Sequence, residues 1–134
     1  MIQLTRAAEY AVRGVLCLAR SNGFKWVLLE EIARRAQAPE KFMAKIFQSL
    51  VHAGIVESAR GAGGGFRLAK PAGTVSVLDV IQAVEGPVEL SFCRRCNMSA
   101  SCPICGTWGD ARDALVEALD DRSFADFATS TKGG

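Results

Sequence analysis

Histidine is nearly missing from this chain: His52 is the single one among 134 residues. Most general-base schemes lose their usual group, and no Ser/His/Asp or paired-carboxylate constellation takes its place. The sequence is therefore not expected to be an enzyme. With no second histidine nearby, His52 is read as solvent-facing and given no role. No apolar run is long enough to span a bilayer, and the opening MIQLTRAAEY carries charges at Arg6 and Glu9, so it is no signal peptide. No internal repeat or low-complexity segment is present. These absences lead to the expectation of a cytoplasmic protein with no membrane partner. Half the residues are hydrophobic (49%) and 22% are charged. That balance predicts a packed core in one domain, or a small domain with an appended segment.

Net charge is only +2, but its distribution is uneven. Residues 1–70 hold 11 Lys/Arg against 5 Asp/Glu, and residues 71–134 hold 5 against 9. A basic first half and an acidic second half suggest that the first binds an anionic partner. A solvated asymmetry with no partner is the plainer alternative.

Apolar spacing predicts a long first helix over Thr5–Arg20, with Cys17 on its apolar stripe as a small core residue. LLEEIARRA predicts a short second helix, broken at Gln37-Ala38. Pro39 is expected at the first position of a third helix, where its missing N–H costs nothing. In PEKFMAKIFQSLVHAG the residues Phe42, Met43, Ile46, Phe47, Leu50 and Val51 share an apolar face, and Lys41, Lys45, Gln48 and His52 share the other. Gly54 should end this helix. IVESA and FRLAK read as two short strands joined by RGAGGG. Ser76 and Asp79 form a capping box for a fourth helix, stopped by Gly86-Pro87. A second box, Thr107 with Asp110, is expected to start a last long helix whose apolar face carries Trp108, Ala111, Leu115 and Leu119. Ser123–Phe127 adds a further turn.

Three helices followed by a two-stranded hairpin make a mainly α winged helix-turn-helix. Such a third helix fits the DNA major groove and presents polar side chains to base edges. Lys41 and Lys45 suit phosphate or guanine, and Gln48 suits bases. In the hairpin loop, Arg60 and Arg67 flank Gly61, Gly63 and Gly64, which let the loop approach a backbone and place an arginine in a minor groove. A solvated helix face is the ordinary alternative. A nucleotide-phosphate cradle is excluded, because a strand and not a helix follows the loop.

Residues 93–105, CRRCNMSASCPIC, hold four of the five cysteines as C-x2-C-x5-C-x2-C. In a reducing cytoplasm, clustered thiols favour metal over disulfides. Zinc and iron–sulfur clusters both accept four thiolates, so the spacing leaves both open. Arg94-Arg95 would offset the negative charge of such a centre. A C-x2-C thiol oxidoreductase is disfavoured, since neither pair has a strand-to-helix setting.

The segments LTRAAEYAVRGVLCLA, IARRAQAPEKFMAKIFQSLVHAGIVESARGAGGGFRL and VSVLDVIQAVEG resemble the iron–sulfur cluster regulator (IscR-type) family of bacterial transcription factors. The family also includes nitric-oxide-sensing, iron-responsive and cysteine-metabolism repressors, and the likeness covers roughly residues 2–127. It implies a winged helix-turn-helix DNA-binding domain over 1–72. The fourth helix, a cysteine-rich cluster loop (90–106) and a dimerisation helix follow within 73–134. It implies a homodimer whose last helix crosses to the partner, reading a pseudo-palindromic double-stranded operator, with a repressor as the expected role. The apolar stripe of Trp108, Leu115 and Leu119 is the expected dimer contact, and packing back on the chain's own fourth helix is the alternative. Sensor members hold an iron–sulfur cluster, of the 2Fe–2S or 4Fe–4S type, on three cysteines ahead of the dimer helix. Cys96 and Cys102, with Trp108 six residues beyond, match the second and third. The first is expected near Val88–Leu90, where there is none, and Cys93 is the nearest substitute. The fourth ligand varies: Cys105 stands where one branch has histidine, and Glu9 stands where others have an acidic residue on the first helix. Zinc on the same thiols, sensing nothing, is the alternative.

Overall fold

The computed structural model describes residues 4–21, 24–61, 63–88 and 103–128. Helix α1 runs Arg6–Arg20. The Thr5 hydroxyl accepts the Ala8 N–H at 3.1 Å, satisfying an otherwise unpaired amide of the first turn. The same hydroxyl donates to the Glu85 carboxylate. Helix α2 is Leu29–Ala36, and it ends because Gln37 adopts a left-handed backbone at φ 56°. There the Gln37 and Ala38 amides turn back to the Arg34 and Ala33 carbonyls. Helix α3 is Glu40–His52. Pro39 is not its first residue, as the sequence suggested, but caps it from outside with an extended ψ of 136°.

Strands β1 (Val56–Ala59) and β2 (Gly65–Leu68) form the antiparallel hairpin, with Glu57 opposite Arg67 and Ala59 opposite Gly65. The stretch before α2 adds to it, since Val27 and Phe66 exchange backbone hydrogen bonds at 2.8 Å each way. A 3-10 turn (Ala72–Thr74) leads to α4 (Val77–Glu85), which starts at the expected Ser76–Asp79 capping box, both bonds at 3.0 Å. Helix α5 is Pro103–Asp121 and α6 is Phe124–Ala128. The Thr107–Asp110 box does not open α5. The helix begins four residues earlier at Pro103, whose fixed φ suits a first helical position.

One apolar core joins these elements. Val15, Leu18, Ile32, Met43, Phe47, Leu50, Val56 and Leu68 are buried in the same cluster as Val75, Val80 and Phe124. Gly14 permits the crossing of α1 over α3: a Cβ there would lie 2.7 Å from the Phe47 ring. Cys17 is 6% exposed, as expected of a core residue. Val75, Val80 and Phe124 join this core from beyond residue 72: the Phe124 amide donates to the Val75 carbonyl at 3.0 Å and the Phe124 ring is fully buried. Among the described residues no helix is long and apolar enough to cross a membrane.

Candidate nucleic-acid interface and metal centre

Helix α3 turns Met43, Ile46, Phe47 and Leu50 into the core, which leaves Lys41, Lys45, Gln48 and His52 exposed along one polar stripe. Phe42 departs from the apolar face assigned to it. It is 43% exposed and lies beside the lysines rather than in the core.

The wing is held from beneath. Arg67 Nε donates to Glu57 Oε1 at 2.5 Å across the strand pair, and the guanidinium lies 4.2 Å from the centre of the Trp26 ring. Arg67 is thus braced against the protein, while Arg60 at the loop entry is exposed with no ion-pair partner among the described residues. Gly61 and Gly63 are exposed with open space around them, and Gly64 is buried against the Ala59 carbonyl. Trp26 and Val27, which support the wing from the α1–α2 connection, went unassigned in the sequence. The WVL run is a strand-like signal, but nothing local shows that it pairs with Phe66 some forty residues later.

Cys93, Cys96 and Cys102 lie outside the described residues. Cys105 falls in the first turn of α5, and its side chain also lies outside them. The donor set itself fits a soft metal: four thiols within thirteen residues, the last entering the amino end of a 19-residue helix. The partial positive charge of that helix end would favour an anionic thiolate at Cys105. Glu9 is exposed in the first turn of α1, its backbone N–H bonded to the Thr5 carbonyl at 3.1 Å. The fifth thiol is set apart. Burial pushes the Cys17 thiol up, partly offset by the Arg35 guanidinium 3.9 Å from its sulfur.

Helix α5 packs along α4, and Arg112 Nε donates to the Val88 carbonyl just past the end of α4 at 3.0 Å. Trp108, Leu115 and Leu119 are half-buried in the single chain, and Ile104 is 50% exposed.

The three-helix unit, hairpin wing and basic α3 stripe define a winged helix-turn-helix DNA-binding regulator. The model of the Rrf2 family, described as iron-dependent transcriptional regulators, matches residues 4–130, and the chain belongs to that family. Its members are transcription regulators and not enzymes. Protein aau3 of Rhizobium meliloti (strain 1021) is 34% identical over 130 residues, covering 93% of this chain and 84% of that protein. Among solved structures, CymR (YrzC), the global cysteine regulator of B. subtilis, is 26% identical with a TM-score of 0.83, covering 98% of this chain and all of that one. T. potens IscR is 27% identical with a TM-score of 0.79, covering 98% of this chain and 94% of that one.

Proposed function

We propose that this chain is a cytoplasmic, homodimeric repressor whose operator affinity is set by an iron–sulfur cluster on Cys93, Cys96, Cys102 and Cys105. The exposed row of Lys41, Lys45 and Gln48 on α3 carries the DNA-binding half of this reading. Those side chains meet phosphates and base edges in the major groove, and Arg60 with Gly61 and Gly63 follows the adjacent minor groove, while the buried Gly64 only lets the loop turn. Arg67, held by Glu57 and Trp26, fixes the wing and supplies positive charge behind it. The test is an equilibrium titration of duplex DNA across a salt series. Log affinity should fall with log salt by about 0.9 for each phosphate neutralised, and Arg60→Ala should lower both affinity and slope. Unchanged binding by Arg60→Ala together with a flat salt series would sink this assignment.

Dimerisation rests on α5, whose half-buried Trp108, Leu115 and Leu119 and exposed Ile104 leave an incomplete apolar surface on one chain. Light scattering at micromolar protein should return twice the chain's 14.3 kDa. Leu115→Lys should return the single-chain mass. A monomer from the unaltered protein would refute the assembly.

The cysteine half rests on the donor set and on the family's iron-dependent description. When bound, a cluster supplies a centre whose charge changes with oxidation or loss of iron. The chain's own part is to bind it through thiolates, to balance its charge with Arg94 and Arg95, and to tie it to α5 through Cys105. A structural zinc is the second reading, favoured by the same four thiolates. Anaerobic purification separates the two: iron–sulfur protein is brown, zinc protein colourless.

A further inference from the structure

Phe42 is left without a role by the fold. Its ring stands 43% exposed in the first turn of α3, between Lys41 and the Lys45 turn, and is not part of the core. It is not loose, because the Tyr10 ring of α1 meets it edge-on, centroids 5.6 Å apart at 80°. Tyr10 is itself packed against the core. A large apolar ring is thereby presented to solvent in a set direction, on the turn of a helix-turn-helix protein that reaches base edges. The apolar group that the major groove offers there is the C5-methyl of thymine. The flanking lysines bring in the phosphates that would seat such a contact.

We propose that Phe42 is a specificity-determining residue that reads a thymine in each half-site, its ring covering the C5-methyl, with Tyr10 as the residue that positions the ring. This deepens the DNA-binding reading above and rests on it. The methyl group is displaced from water against the ring, so a duplex lacking it loses one methyl's worth of burial. Lys41 and Lys45 hold the backbone whichever base is present, so thymine preference comes from Phe42.

The experiment first selects duplexes from a random-sequence pool with the full-length protein. Each thymine of the selected site is then replaced singly by deoxyuridine, which removes only the methyl. At one thymine per half-site the unaltered protein should bind the deoxyuridine duplex about fourfold more weakly, the factor for burying one methyl-sized group. Phe42→Ala should bind both duplexes equally and more weakly than the unaltered protein. Phe42→Leu should keep part of the ratio, and Tyr10→Ala should shrink it. Phe42 is outside the core, so the two Phe42 variants should melt like the parent. If no thymine shows a deoxyuridine penalty, or if Phe42→Ala keeps it, thymine reading by Phe42 is overturned while DNA binding stands. A pool that yields no enriched sequence would instead overturn the DNA-binding reading on which it rests.

Discussion

Replacing Cys96 or Cys102 by serine should leave the protein colourless and its operator affinity indifferent to iron, whereas loaded and apo forms of the unaltered chain should differ by about 5–150-fold. That range corresponds to coupling free energies of about 1–3 kcal/mol between linked sites. A metal can shift an equilibrium only by its difference in affinity for the two states, so it must touch an element that the DNA-binding face also feels. Such an element is present. Cys105 belongs to the first turn of α5, and Arg112 of α5 is bonded to the Val88 carbonyl just beyond α4. Helix α4 in turn packs on both α1 and α3. A ligand bound at the start of α5 would thus bear on the placement of α3 through α5 and α4. The measurement is anisotropy of a labelled operator with anaerobically loaded protein and with chelator-stripped protein. Cys93→Ser and Cys105→Ser should behave alike if all four thiols bind. A normal cluster in Cys105→Ser would make Glu9 the preferred fourth ligand. Equal operator affinity of loaded and apo protein would leave a structural centre in place of a sensor.

The second large effect belongs to a single methyl group. Gly65→Ala should cost about 2–6 kcal/mol, backbone strain and overpacking together, a large part of the roughly 5–15 kcal/mol that holds a domain folded. Gly63→Ala in the same loop should cost only about 1 kcal/mol. Both glycines have positive φ, at 132° and 80°. They differ in surroundings. A Cβ on Gly65 would lie 2.3 Å from the Val27 carbonyl oxygen, whereas one on Gly63 would meet nothing within 4 Å. Val27 cannot retreat freely, because it exchanges two backbone hydrogen bonds with Phe66. Urea unfolding of the two variants beside the parent makes the comparison. Gly65→Ala should also weaken operator binding, since the displaced β2 carries Arg67. Similar unfolding midpoints for the two variants would show that the Val27 contact does not constrain the wing.

Much of the DNA-binding half could be read from local chemistry. Ser76 with Asp79 announced the start of α4, and Gln37-Ala38 marked the break before the third helix. The 3.6-residue period separated Lys41, Lys45 and Gln48 from Met43, Ile46 and Phe47 because burial on a helix follows that period. Reading failed where two local signals competed. Thr107 and Asp110 have the spacing of a capping box, yet Pro103 upstream starts α5 and leaves them inside the helix. Phe42 fits the apolar period but stands at its edge, and the neighbouring helix leaves its ring in solvent beside Tyr10.

What the chain determined by itself was the sequence of elements, the basic stripe of the third helix and the thiol set: periodicity, capping and donor spacing act within a few residues. The tertiary structure decided how these are aimed. It seated Trp26 beneath Arg67, paired Val27 with Phe66, and brought Phe124 back to the core of the first three helices. Each of these joins positions roughly forty to more than a hundred residues apart. No local propensity encodes such a pairing, because only the collapsed core sets the distance between its members.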